Sequence, residues 1–358
     1  MLESIAGATG LVEYMDTRTM RMRKTRSPTI GDVAKLAGVS PTTVSFVLND
    51  VVGSGIPEST RTRVRASARE LRYRPNATAR LLRTDRSYAI GFVTDEIAST
   101  PFAGDVIKGA QEAAWEAGMI LMIVNTGENR EIEESAVDMM LERRVEGIIH
   151  AAMYHRAVEP PSDSQEVPTV LLNCYSEYGS WSSVVPDEVS GGRMATDVLL
   201  RKGHSRVGFI NLGPGIPAAV GRLEGYKQAL DAHGLAFDSS LLRYGDGTAD
   251  GGYRCATELM RVPERPTAIF CGNDPTAMGT YEALKERDLR IPEDIAVVGF
   301  DNQELIAAHL RPTLSTVALP HHEMGRWAVE YLIDQIARGD MCPTRHAIGC
   351  PYVERESV

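Results

Sequence analysis

Residues 30–49 read IGDVAKLAGVSPTTVSFVLN. The stretch divides into two short helical patterns: Gly38 supplies a tight turn, Ser40 a cap, and Pro41 the first position of the second helix. Val33, Ala34, Leu36, Val39, Val44, Val47 and Leu48 can face one small core. That arrangement leaves Pro41, Thr42, Thr43, Ser45 and Phe46 on or near the outer side of the second helix, the side that a DNA major groove meets in a helix-turn-helix.

Outward from this motif, the Gly-containing link 49–56 leads to Pro57, and residues 58–71 carry a third helical pattern with Val64, Ala68 and Leu71 inward. Arg61, Arg63, Arg65, Arg69 and Arg72 decorate that helix. The formal charge of the chain is −10, yet residues 21–86 hold 14 Lys/Arg against 5 Asp/Glu, while residues 87–358 hold 23 against 40. A basic stretch alone reads equally well as a solvated face. With the two-helix turn embedded in it, contact with phosphates is expected. Residues 75–83 propose a short fourth helix, which needs a partner or DNA to order it.

From Tyr88 onward, apolar runs alternate with amphipathic helices. YAIGFV (88–93), MILMIV (119–124), GIIHAA (147–152), TVLLN (169–173), RVGFIN (206–211), TAIFCG (267–272) and IAVVGF (295–300) are apolar on both faces, as central parallel strands are. These are too many strands for one mononucleotide-like half, so the expected body is α/β, two doubly wound lobes with a cleft. Ligands of such folds bind beyond the carboxyl ends of strands, which points to Asp95, Phe102, Asn173, Asn273, Asp274, Asp301 and Asn302. A turn or cap role is the alternative for each.

Several function classes lose support. The five cysteines are scattered and lack CxxC spacing, which fits a reduced cytosolic setting. No run of about 18 apolar residues suggests a membrane span, and MLESIAGATGLVEY lacks the basic and apolar flanks of an export signal. There is no GxSxG elbow, no GxGxxG opening the first α/β unit and no metal-ligand spacing, so no catalytic residue, cofactor or metal is expected. NLGPGIP lacks the ending of a phosphate loop, and His321–His322 read as caps or solvent-facing groups. The two-lobed body alone would also suit a free solute-binding protein; the basic amino-terminal unit argues against that.

Taken in order, DVAKLAGVSPTTVSFVLN, YRPNATARLLR (73–83), NTG, VEGII, the Gly pair after Asp187, KGHSRVGFI, RLEGYKQAL (222–230), TAIFCGNDPTAMG, IPEDIAVVGFDN and PTLSTV resemble the LacI/GalR family of transcriptional regulators across about residues 29–355. The resemblance implies an N-terminal helix-turn-helix domain plus a two-lobed, periplasmic-binding-protein-like body of doubly wound parallel sheets. It implies a homodimer or dimer-based tetramer that binds a near-palindromic operator and is controlled by a small, sugar-like effector between the lobes. The expected division is a disordered tail over 1–27, the DNA-binding domain over 28–74, a hinge helix and linker over 75–86, and an effector-binding and dimerisation domain over 87–358. Within the last, the first lobe would take about 88–187 and 316–345, the second 188–315 and 346–358.

Carried onto this chain, Thr29 and Ile30 would begin the backbone-contacting helix, and Pro41, Thr42 and Phe46 would read bases. Ser40, Thr43, Ser45 and Asn49 would contact DNA beside them, Thr43 and Ser45 at phosphates. Phe46 stands where the family often has Arg or another polar residue, so a guanine contact gives way to a thymine methyl or to packing against the hinge. Asn76, Ala79 and Leu82 resemble the hinge helix, with Leu82 as the wedge at the operator centre. Arg222 matches the family's ligand-holding Arg, Asn273 and Asp301 its polar strand-end residues, and Asp95 with Phe102 would close the site. Gly247 departs from the pattern, lying where sugar-binding relatives offer an aromatic face; Tyr175 and Trp181 are alternative platforms. MCPTRHAIGCPYVERESV (341–358) has no leucine heptads, so a dimer rather than a tetramer is expected. Repression in the cytoplasm is the implied role; activation is the alternative.

Overall fold

The computed structural model describes residues 27–51, 53–74, 81, 85–100, 104–179, 181–339 and 343–358. The expected tail up to residue 26, the hinge candidates Asn76, Ala79 and Leu82, and the cleft candidate Phe102 lie outside these residues. The chain divides into two compact units, residues 1–85 and 86–358.

Among its described residues, the first unit forms the helices α1 (Ile30–Ala37), α2 (Pro41–Leu48) and α3 (Glu58–Glu70). Thr29 and Asp32 form a reciprocal capping box at the start of α1, and Gly38, at φ 63°, ends it in the left-handed region where a side chain is disfavoured. Ser40 Oγ accepts from the Thr43 N–H at 3.1 Å, capping α2 as Pro41 enters it. Val33, Ala34, Ala37, Val44, Val47, Val64 and Ala68 make the core. Leu36, expected inward, is instead 46% exposed. It lies roughly 100° around α1 from the centre of the stripe that Val33, Ala34 and Ala37 already fill.

The second unit contains the strands β1 (Ala89–Thr94), β2 (Ile120–Asn125), β3 (Gly147–Ala157), β4 (Thr169–Tyr175), β5 (Ser182–Asp187), β6 (Val207–Asn211), β7 (Leu242–Tyr244), β8 (Ala268–Cys271), β9 (Ala296–Asp301), β10 (Ser315–Ala318), β11 (Arg345–Gly349) and β12 (Tyr352–Val353). Its helices are α4 (Gly104–Glu116), α5 (Arg130–Glu142), α6 (Glu188–Arg201), α7 (Pro217–Ala232), α8 (Ala249–Leu259), α9 (Asp274–Lys285), the short α10 (Glu304–Ala307) and α11 (His321–Arg338). One sheet runs β11-β5-β4-β3-β1-β2 and the other β12-β10-β9-β8-β6-β7. All neighbours pair in parallel except β10 with β12. Each sheet reverses its strand order once, between β1 and β3 and between β6 and β8, and such switch points open the crevices where ligands bind.

The lobe assignment differs from the sequence reading at the carboxyl end. β10, expected in the first lobe, belongs to the second sheet, while β11, expected in the second lobe, is an edge of the first. The chain therefore crosses between lobes after β5, after β10 and after β11. MILMIV also differs: β2 is an edge strand, with Ile120 and Ile123 exposed.

Helix crossings in the second lobe are set by glycine. A Cβ at Gly192 of α6 would lie 2.4 Å from the Arg222 carbonyl oxygen, and one at Gly225 of α7 would lie 2.1 Å from that of Val189. These residues let α6 and α7 touch backbone to backbone. The same crossing brings Glu188, the first residue of α6, against Arg222 on α7.

Candidate functional site

On the first unit, Pro41, Thr42 and Phe46 are exposed on α2, while Thr43 and Ser45 are half-buried. The Thr43 hydroxyl lies 2.9 Å from Ser40 Oγ, and Asn49 at the carboxyl end of α2 donates from Nδ2 to the Ser45 carbonyl at 2.7 Å. Thr29 caps α1 and Ile30 packs against the core. Some of the arginines expected at phosphates serve the fold. Arg61 donates to Ser54 Oγ at 2.8 Å, Arg63 to the Ala37 carbonyl at 2.8 Å, and Arg65 pairs with Asp50. Arg69 and Arg72 are exposed. A preformed, apolar-tipped helix with cationic side chains on its neighbour suits groove reading.

In the first lobe, Asp95 and Asn173 converge on the backbone of Met153. The Asp95 carboxylate accepts from the Met153 N–H at 2.9 Å and from Arg156 at 2.9 Å, and Asn173 Nδ2 donates to the carbonyls of Ala152 and Met153, each at 3.0 Å. They fix the irregularity where β3 slips against β4 between Ala151 and Arg156. Asn173 adopts φ 57°, a conformation tolerated by Asn because its side chain bonds locally. A cavity of about 360 Å³ opens beside Asp95, with Thr94, Thr126, Arg130, His150 and Arg156 among its walls.

The second lobe gathers Arg222, Glu188 and Asp301. Arg222 Nε donates to Glu188 at 2.8 Å, Nη1 donates to the Gly272 carbonyl, and Nη2 stands 3.6 Å from Asp301. The guanidinium also lies 3.6 Å above the centre of the Phe300 ring, a cation–π contact. The three charged side chains are 3%, 5% and 9% exposed for Arg222, Glu188 and Asp301, so water screens them little. Burial works against ionised Glu188, but Arg222 and His155 hold it below the usual carboxylate range. Burial dominates at Asp301 and pushes it up to about 7, with Arg222 and Gln303 opposing and Glu188 adding to the rise.

Asn273 and Asp274 serve the same wall indirectly. Asn273 caps α9 through the Thr276 N–H and donates from Nδ2 to the Gly247 carbonyl at 2.9 Å. Asp274 is completely buried and accepts from the Gln303 N–H at 2.6 Å and the Thr316 hydroxyl at 2.7 Å. Trp181 is a core residue packed with Ala152, Leu171 and Cys174, and Arg345 covers the Tyr175 ring at 4.2 Å. Neither offers an open platform. Glu188 and His155 were not singled out from the sequence; His155 Nδ1, on β3, stands 3.7 Å from Glu188 across the lobes. For Glu188 the signal available was a second acidic residue directly after Asp187 and three residues before a Gly pair.

Among the described residues, no group of three or more His, Cys, Asp or Glu is placed to hold a metal, and no helix is long and apolar enough to cross a membrane.

The family model for bacterial regulatory proteins of the lacI family matches residues 29–76, and one for a periplasmic binding protein-like domain matches residues 196–358. The chain is 34% identical over 332 residues to the HTH-type transcriptional repressor PurR of Vibrio atlanticus, covering 92% of this chain and 98% of the relative. It is 32% identical over 336 residues to the ribose operon repressor of Escherichia coli, covering 92% and 99%. Among solved structures, the CelR–cellobiose complex matches with a TM-score of 0.64 at 30% identity, covering 92% of this chain and 100% of that one. The lac repressor dimer bound to operator and the anti-inducer ONPF matches with a TM-score of 0.72 at 26% identity, covering 93% and 99%. With a capped helix-turn-helix ahead of two parallel-sheet lobes, and relatives matched along nearly their whole length, this chain belongs to the LacI/GalR family of transcriptional regulators.

Proposed function

We propose that the protein is a sequence-specific repressor that binds a near-palindromic operator as a homodimer and takes a sugar-like effector between its lobes. The observation that carries the DNA reading is the exposed row Pro41, Thr42 and Phe46 on a helix whose start is fixed by Ser40 and Pro41. Members of the family are regulatory DNA-binding proteins and not enzymes, and family membership carries a cytoplasmic placement. Repression is supported by the similarity to the PurR and ribose operon repressors.

Two features support dimerisation. Among the described residues β2 is an edge strand with Ile120 and Ile123 exposed, and Trp115 on the preceding helix α4 is 75% exposed. In the second lobe Ile216, Val220 and Tyr244 are exposed as well. Apolar edges of this kind call for a cover, and two-fold pairing would place two reading helices over two half-sites.

For the effector, the cleft reading rests on Arg222 of α7 and Asp301 at the carboxyl end of β9, and cellobiose in the CelR complex supports a sugar. Selection of duplexes from a random pool by the full chain, followed by titration of the winner with and without neutral sugars, tests the whole reading. An enriched palindrome whose affinity changes with a sugar is expected. No enriched sequence would favour a solute-binding protein without a DNA role.

A further inference from the structure

We propose that Glu188 sets the charge class of the effector: by occupying the Arg222 guanidinium, it fits the cleft to an uncharged, polyhydroxylated ligand and against one bearing a carboxylate or phosphate. The inference rests on the interlobe effector site proposed above and deepens it.

An anion is held best when a guanidinium presents two parallel N–H donors to it. Arg222 has no such edge to spare. Its Nε is given to Glu188, Nη1 to the Gly272 carbonyl, and its face to Phe300, while Nη2 already looks onto Asp301. An acidic ligand would have to displace Glu188 or share one cation with two carboxylates in a buried setting, where unpaired charge is costly.

The pairing is built into the fold. Glu188 is buried at the start of α6, and Gly221 of α7 makes room for it, since a Cβ there would stand 2.5 Å from that of Glu188. His155 approaches the other carboxylate oxygen from the first lobe at 3.7 Å, so the groups facing Glu188 from both lobes are the ones that keep it ionised. A sugar hydroxyl both donates and accepts, so it can bond to Asp301 and to remaining donors without separating the Arg222–Glu188 pair.

The test is calorimetric titration of the full chain with matched ligands: glucose against glucuronate, ribose against ribose 5-phosphate, and cellobiose against cellobionate. Wild type should favour the neutral member of a bound pair by about tenfold or more, and Glu188→Gln should narrow or invert that ratio by about tenfold. The ratio separates a charge effect from general damage, which would weaken both members alike. Acid binding as tight as neutral binding by wild type would overturn the inference, as would an equal change for both members in the variant. If Glu188→Gln fails to fold, the wild-type ratios alone decide. Binding of no member of any pair would sink the sugar-effector reading and the charge assignment with it, whereas preference for an acid would sink only the second.

Discussion

Gly225 of α7 meets the carbonyl of Val189 of α6 so closely that a β-carbon would stand 2.1 Å from its oxygen. Backbone lies on both sides of that contact, so it cannot be relieved by turning a side chain. Gly225→Ala should destabilise the body by about 1–3 kcal/mol or more through overpacking. The change should appear as a lower melting temperature of the second unit, and it should also loosen the Arg222–Glu188 pair that the helix crossing sets. An unchanged melting temperature would mean that α6 and α7 sit farther apart than described.

Phe46 should govern which base is preferred rather than how strongly phosphates are held. Phe46→Ala is expected to relax preference at one operator position by about 1–3 kcal/mol, with the salt dependence of binding unchanged. Arg69→Ala, by contrast, should weaken all duplexes alike and flatten the salt dependence. Anisotropy titrations on matched and singly substituted duplexes at several salt concentrations distinguish the two. A Phe46→Ala variant with the wild-type base preference would place that ring against protein.

Asp301 binds its proton up to about pH 7 in the folded chain and releases it near 3.8 in an ordinary setting. Between those values the unfolded state sheds the proton first, so this group favours unfolding increasingly as pH rises, with no further change above about 7. The more deeply buried Asp274 acts in the same direction. Melting curves of Asp301→Asn should therefore decline less between pH 5 and pH 7 than those of wild type, at roughly constant ionic strength. A steeper decline in the variant would reverse the sign assigned to the carboxyl.

Ile120→Lys on the edge of β2 should leave the fold intact, because the side chain is 56% exposed, and should disrupt dimer formation. Sedimentation velocity is expected to show monomers, and operator affinity should fall because one half-site binds alone. A variant that remains dimeric would move the interface off this edge.

The sequence exposed those parts of the fold whose residues are apolar on every side. β1, β3, β4, β8 and β9 were legible as runs because both faces are covered. β5 and β11, SSVVPD and RHAIG, carry too many polar residues to stand out, and their pairing depends on chain paths that no local pattern records. The same reason explains the misassigned lobe boundaries near residues 316 and 346. At the cleft, Arg222 and Asp301 could be named from motifs, but their ion-pair partners could not. Glu188 meets Arg222 only through the glycine-lined helix crossing, and His155 meets Glu188 only from the other lobe. Asn273 and Asp274 follow β8 as expected, whereas Asn173 lies two residues inside β4 rather than after it; all three bind backbone or neighbouring side chains.

The placement of β11 and β12 has a consequence for biosynthesis. A few residues apart in the chain, these strands complete the borders of different sheets. Neither lobe can acquire its full complement of strands until residues 345–353 have emerged from the ribosome, however early its other strands were made. A nascent chain arrested before that point would carry two unfinished sheet borders, and both are then open to pairing with other chains.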